Sequence, residues 1–477
     1  MSTSFFFYDL ETSGINPRDA RIMQFAGQRT DMDLNPIGDP VNILVRLSDD
    51  VIPEPDAILI TGITPQQTHM DGITEAEFLK LFHEQVATPG TIFVGYNTVR
   101  FDDEFMRYLH YRNFYDPYEW QYTEGKSRWD LLDVVRMTRA LRPDGIKWPF
   151  TEDGKPTNRL ELITKENGIV HEHAHDALSD VEGTISVARL IKEKQPKLFD
   201  YLLSMRDKKA VANFVSQGQP FLYSSGKYPG EFEKTTAVAV VAPHPKRQAA
   251  LVFDLRFDPA EYENLGPKEL ADLWRYKPGE GVRLPVKTLQ FNRCPAIAPL
   301  ATLDASSEAR IKITKEQAVD RYNQLKQSEL AGNVLAALEI LDAEQDTQQR
   351  AKTTDVDAQL YDNFFDNADK KTMDVVRGAD PKELSDSYVR FKDTRLSQLL
   401  PLYKARNFSA LLSDEERANW EAFKQARLLG GGQSSRLARF FARLGELASQ
   451  TDLTSNQQYL LEELQLYGQS IVPSALD

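Results

Sequence analysis

The chain has 477 residues, with 57 Lys and Arg against 71 Asp and Glu, a formal charge of −14 at pH 7 and 41% hydrophobic residues. One cysteine, Cys294, excludes a disulfide scaffold and any multi-cysteine metal cluster and fits a reducing, cytoplasmic setting. No apolar run approaches the ~20 residues that a membrane helix needs, and the acidic balance, taken alone, argues against a polyanionic partner such as nucleic acid.

At about 100–200 residues per domain the length predicts two to four domains. Up to residue 195, strands and helices alternate. Ser4–Leu10 is a short apolar, aromatic run that reads as a buried strand. Arg21–Arg29 and Val41–Val45 have strand character, with a turn at Asn35–Gly38 between them. Thr74–Gln85 has helical periodicity, Thr91–Tyr96 is β-rich, and Asp102–Phe114 places Phe105, Tyr108 and Leu109 at helical spacing. Arg159–Asn167 reads as a short helix closed by Gly168. Asp176–Lys194 reads as a long amphipathic helix with Leu178, Val181, Ile185, Ala188 and Ile191 inward. The expected fold is α/β, a mixed sheet carrying helices.

The pattern changes after Pro196. Ala237–Ala242 and Ala249–Leu255 read as a hairpin and Val282–Asn292 as further β-structure. Beyond about 350 the chain reads as helical, at Asp357–Asp369, Ser413–Leu429, Ser435–Ser449 and Asn456–Gly468, with a break at Gly430–Gly432. The polar segment Ala343–Asp355 fits a linker or a solvated helix end equally well. The expected division is 1–195, 196–348 and 352–477.

Three acidic elements carry chemistry. Asp9 and Glu11 end the first strand, and residues i and i+2 share a face. Two carboxylates after an apolar run are costly to bury unless paired or metal-bound, and carboxylate oxygens suit Mg²⁺ or Mn²⁺. Phe101-Asp102 opens a helix, where the dipole favours a negative charge. His175 and Asp180 stand at the head of the long helix. Five helical residues would separate them by about 140°, so His175 must lie in the preceding loop to share a site with Asp180. His171, His173 and His175 alternate, but without downstream partners the string does not make a zinc site. Each element alone reads as well as surface charge or a helix start.

Together, in order, Asp9-x-Glu11, Phe101-Asp102 and His175-x4-Asp180 resemble the DEDDh branch of the DnaQ-like 3′→5′ exonucleases, with Ile60–Thr64 and Arg159–Glu161 in support. Beyond that domain, Tyr111–Tyr118, Ser127–Val134, Ala140–Ile146, Asp357–Tyr361 and Ala405–Phe408 resemble the bacterial exonuclease I group of that family. The resemblance implies a ribonuclease H-like exonuclease domain, an SH3-like domain and a C-terminal helical domain, forming a C-shaped body over single-stranded DNA. It implies a DNA-repair enzyme that releases 5′-mononucleotides with two Mg²⁺ ions, Mn²⁺ being able to substitute. Asp9 would bridge the ions, Glu11 and Asp180 would complete the first, Asp102 would support the second, and His175 would be the general base.

The same resemblance suggests Phe101 for the terminal bases, Gly62, Ile63 and Thr64 for the 3′ end, the backbone of Leu10 and Thr12 for the last nucleotide, and Arg128 and Arg159 for phosphates. It also implies binding to the C-terminal tail of single-stranded DNA-binding protein, through Arg142, Tyr201 and Arg310, by a monomer. Residues 201–250 hold seven basic and three acidic residues. Lys424–Arg443 holds Lys424, Arg427, Arg436, Arg439 and Arg443 and no acidic residue, and Tyr403–Phe408 interleaves aromatic and basic residues as single-strand grooves do. An RNA-trimming or proofreading relative, and a non-catalytic adaptor on a degenerate nuclease fold, are the alternatives. The complete acidic set argues against the last.

Overall fold

Ser4–Thr12 forms strand β1, whose side chains alternate between two buried faces. It pairs antiparallel with β2 (Ile22–Thr30), which carries β3 (Val41–Leu44) on its outer side. On its other side β1 runs parallel to β4 (Thr91–Gly95), and β4 runs parallel to β5 (Ser127–Asp130). The order β3-β2-β1-β4-β5 is a mixed sheet. Phe5 and Phe7 pack with Val181, Ile185 and Ala188 of the helix Ala177–Lys194. Phe6, Tyr8 and Leu10 pack on the opposite side with Phe78, Phe82, Phe105 and Leu109. Alternation therefore turns Asp9 and Glu11 to the side of the helix that carries Asp180. The computed structural model describes residues 3–170, 176–275, 283–349, 354–384 and 389–472.

A second five-stranded sheet contains β6 (Phe221–Ser224), β7 (Thr235–Pro243), β8 (Ala249–Asp254), β9 (Val286–Gln290) and β10 (Ala296–Pro299). Its order is β10-β6-β7-β8-β9 and every pairing is antiparallel. Leu251 and Phe253 pack with Leu330, Val334 and Ala337 of the helix Leu330–Gln349, while Val238, Val252 and Ile297 pack with Val211 and Val215. That helix carries the backbone of the polar segment from Ala343 as far as Gln349.

The C-terminal part is helical, and three of its expected helices form at Asp414–Leu429, Arg436–Ala448 and Ser455–Ser470. Asp357–Asp369 differs. It holds two 3-10 turns, Val356–Ala358 and Leu360–Asp362, and a helix begins only at Asn367. The Arg395 guanidinium donates to the carbonyls of Gln359, Leu360 and Asn363, which leaves these acceptors committed to a distant side chain.

A buried ion network joins this part to the first sheet. Arg406 lies 2.7 Å from both Asp50 and Asp357, and Arg21 lies 2.8 Å from Asp357. Both carboxylates are fully buried. Burial alone would raise their pKa, but Arg406, Arg21 and Arg427 outweigh it and hold both below the ordinary carboxylate range.

Candidate active site

Asp9, Glu11 and Asp180 converge, with ligand oxygens all within 4.8 Å of one another. Asp9 and Glu11 arrive by strand alternation, and Asp180 by the first turn of its helix, which Asp176 caps by accepting from Ser179 N at 3.1 Å. Asp102 is buried at the first position of the helix Asp102–Arg112, just beyond the end of β4. It lies within electrostatic reach of Asp9 and Glu11. Burial, and then Asp102 and Asp180, push the Asp9 carboxyl up. Burial and then Asp9 raise Glu11 to about 9. Asp102 is raised by burial against its own helix N–H, with Asp103 and Asp130 adding to the rise. Among the described residues, no Lys or Arg forms an ion pair with Asp9, Glu11 or Asp102. Crowded, desolvated oxygen donors of one sign fit a hard divalent cation. His175, like His171 and His173, lies outside the described residues.

The site opens into a cleft of about 450 Å³ lined by Asp9, Asp180, Asn97, Arg136, Arg159 and Lys234, among others. Arg159 thus shares the cleft with the carboxylates. Gly62 and Ile63 line a neighbouring cleft together with Asp176. Gly62 ends the helix Pro55–Thr61 at φ +71°, a conformation that favours glycine. Thr64 caps the next helix by accepting from Gln67 N. Ile63 is 8% exposed and packs in the cluster that includes Leu437 and Phe440 of the C-terminal helices. The Leu10 side chain is in the core, and the Thr12 hydroxyl donates to Gly14 O at 2.8 Å. Phe101 is partly buried, its ring 5.0 Å from that of Phe105.

Other expected sites are placed differently. Arg128 is committed to an ion pair with Asp103 and to the Asn292 carbonyl at 2.7 Å. Its guanidinium therefore holds the turn beside Asp102 and leaves little for a phosphate. In the basic segments of the C-terminal part most cations are paired with carboxylates, although Arg427 and Arg436 also line a cleft of about 670 Å³ with Trp420 and Phe423. Lys404 pairs with Glu416, Arg406 with Asp50 and Asp357, Lys424 with Glu421, Arg436 with Asp19, and Arg443 with Asp56. Arg142 and Arg310 meet at the end of the helix Leu131–Leu141. Arg142 donates to Thr302 O and pairs with Asp304, and Arg310 donates to Ala140 O. Tyr201 packs on the main core, and its hydroxyl is buried with no hydrogen-bond partner among the described residues.

Sequence reasoning missed two features. Asp130, at the end of β5, accepts from Asn97 N, Val99 N and Leu132 N at 3.0, 3.3 and 3.0 Å. It fixes the segment that leads into Asp102, including Asn97 at φ +74°. Burial and Asp133 raise it to about 6. The signal was present in Ser127–Val134, but nothing in that string announces whose N–H groups its carboxylate would meet. The second is a cation-rich cleft of about 450 Å³, lined by Arg100, Lys227, Arg247, Arg283, Lys287 and Arg293. Only the local basic excess of residues 201–250 hinted at it.

The chain matches three family models: one described as an exonuclease over residues 6–188, the exonuclease I SH3-like domain over 206–338, and the exonuclease I C-terminal domain over 354–471. It is 39% identical to Exodeoxyribonuclease I of Haemophilus influenzae, over 98% of each chain. It is similar to the crystal structure of Escherichia coli Exonuclease I in complex with a dA16 oligonucleotide, at a TM-score of 0.91 and 37% identity, covering 99% of this chain and 100% of that one. A complex of SSB and Exonuclease I with an inhibitor is similar at a TM-score of 0.88 and 37% identity, with the same coverage.

Proposed function

The chain belongs to the exodeoxyribonuclease I family, and from that premise we propose how its residues degrade single-stranded DNA from the 3′ end. It is a metal-dependent exodeoxyribonuclease with a mixed-sheet exonuclease domain, an SH3-like domain and a helical domain, which we divide at 1–195, 196–348 and 352–477. The observation that carries the reading is the convergence of Asp9, Glu11 and Asp180 within 4.8 Å, beside buried Asp102, at the mouth of a cleft.

Asp9, Glu11 and Asp180 would hold one Mg²⁺, and Asp9 with Asp102 a second. When bound, divalent ions relieve charge on the phosphoryl oxygens and lower the pKa of the attacking water. Asp130 and the Asp103–Arg128 pair keep Asp102 in place. His175 takes the water's proton, for which an ordinary imidazole pKa of ~6.5 is suited near neutrality. Arg159 meets a phosphate near the carboxylates. Arg100, Lys227 and Arg283 track the backbone further along. The dA16 complex of the Escherichia coli relative supports a single strand as substrate. The SSB complex of the similar protein supports single-stranded DNA-binding protein as partner, and we assign its C-terminal tail to Arg142, Arg310 and Tyr201. We read the protein as a cytoplasmic monomer.

The test is Mg²⁺-dependent release of mononucleotides from a 3′-labelled DNA strand, beside a matched RNA strand and a 5′-labelled control. Equal rates on RNA would favour the RNA-trimming alternative, and release from the 5′ end first would overturn the polarity. His175→Ala should cut turnover while leaving metal binding largely intact, and a flat pH–rate profile for the wild type would remove the base from His175.

A further inference from the structure

The first turn of the helix that carries Asp102 touches all three parts of the molecule. Asp103 accepts from Tyr8 OH at 2.6 Å within the exonuclease domain and pairs with Arg128, which reaches Asn292 O of the SH3-like domain. Glu104, two residues beyond Asp102, gathers more. One of its oxygens accepts from Arg107 at 2.7 Å on its own helix and faces Arg293 of the SH3-like domain at 3.4 Å. The other accepts from the hydroxyl of Tyr361, in the helical domain. Arg107 is itself held by Gln121 at 3.0 Å, so the carboxylate is braced from behind.

The two arms that reach it are only half covered. The Arg293 side chain is 42% exposed and Tyr361 is 49% exposed, whereas the Glu104 side chain is 16% exposed. Neither arm is needed to fill a core. Arg293 also lines the cation-rich cleft. Each contact alone is weak at such exposure. Their convergence on one braced carboxylate is what gives them a joint effect.

We propose that Glu104 is a positioning residue for the substrate strand: it joins the SH3-like and helical domains on a single carboxylate and so keeps the strand path closed next to Asp102. The proposal rests on the reading of the cleft as the path of a single DNA strand. It assigns Glu104 no contact with the reacting phosphate, so a substrate too short to leave the catalytic cleft should not sense the change.

The experiment compares wild type, Glu104→Gln and Tyr361→Phe in the full chain, on a trinucleotide and on a long single strand with a trap for released enzyme. Glu104→Gln should keep kcat on the trinucleotide within about twofold. On the long strand it should raise KM and shorten the run per binding event by roughly three- to tenfold, the range that partly exposed polar contacts support. Tyr361→Phe removes one hydroxyl at a half-exposed position and should shift the long-strand values in the same direction by less, with an unchanged Tm. Equal losses on both substrates would overturn the proposal by placing Glu104 in the catalytic turn itself, and no loss on either would overturn it outright. Failure of the wild type to degrade either strand would strike at the proposed function instead.

Discussion

Two groups of buried or partly buried carboxylates lie in this molecule and behave in opposite ways. Asp50 and Asp357 are fully buried, yet three guanidinium groups hold both ionised. Asp9 and Glu11 are crowded together, with Asp102 within electrostatic reach; none has a Lys or Arg partner among the described residues, and all three are pushed up. The first group is complete within the chain and ties the helical domain to the sheet. The second has no cationic partner among the described residues and holds protons until a divalent cation takes their place. Burial is common to both, so burial does not mark the functional site; the missing counter-charge does.

The comparison can be broken most forcefully at the catalytic group. Asp9→Ala or Asp180→Ala should lower nucleotide release by orders of magnitude while the folded fraction is kept, as read by activity assay beside circular dichroism. Near-normal rates in either purified variant would dissolve the distinction. At the paired group the outcome should invert. Asp357→Ala takes from buried Arg21 its nearest carboxylate and leaves Asp50 to face Arg406 and Arg427 without its companion, and should cost about 3–5 kcal/mol in urea unfolding, with cleavage per folded molecule retained.

A pH series sharpens the contrast. A carboxylate whose folded pKa is raised keeps its proton longer in the folded state. Stability contributed by Glu11 in metal-free protein therefore falls as pH rises from its usual 4.5 toward about 9. The depressed Asp50 and Asp357 contribute above the ordinary carboxylate value of ~3.9, and lose that contribution as pH falls below it. The gain in Tm on adding Mg²⁺ should accordingly be larger near pH ~8 than near pH ~5. An equal gain at both would show that the catalytic acids are not competing with protons for metal. The smallest effect belongs to Arg142, whose pairing with Asp304 is open to solvent. Arg142→Ala should change stability by less than about 1 kcal/mol, leaving any loss of peptide-tail affinity in a binding titration free of a folding contribution.

The acids of the site were legible because their positions follow from short-range rules: two residues apart on a strand, first in a helix, first turn of another helix. The mixed sheet was legible for the same reason. What escaped depends on distant partners. Asp357–Asp369 has helical composition, but Arg395 arrives from 32 to 36 residues later to take its carbonyls. Lys404 and Arg406 sit among aromatics as groove residues would, and only Glu416, Asp50 and Asp357 reveal that their charge is spent. The net charge of −14 misled about nucleic acid because a sum carries no positions. Of the cations of the cleft, Arg283, Lys287 and Arg293 are close in sequence, but Arg100, Lys227 and Arg247 join them from elsewhere, so no short window collects them all.

The parallel pairing of β1 with β4, Phe7 opposite Val94, has a practical consequence. A slip of one residue in β1 would turn Asp9 and Glu11 into the opposite core and bring Tyr8 and Leu10 to the catalytic side. Such a molecule would keep its mass and much of its circular dichroism and yet be inert. Specific activity is therefore a gauge of strand register in a preparation, and an inactive fraction recovered by unfolding and refolding would be a conformational impurity, not a chemical one.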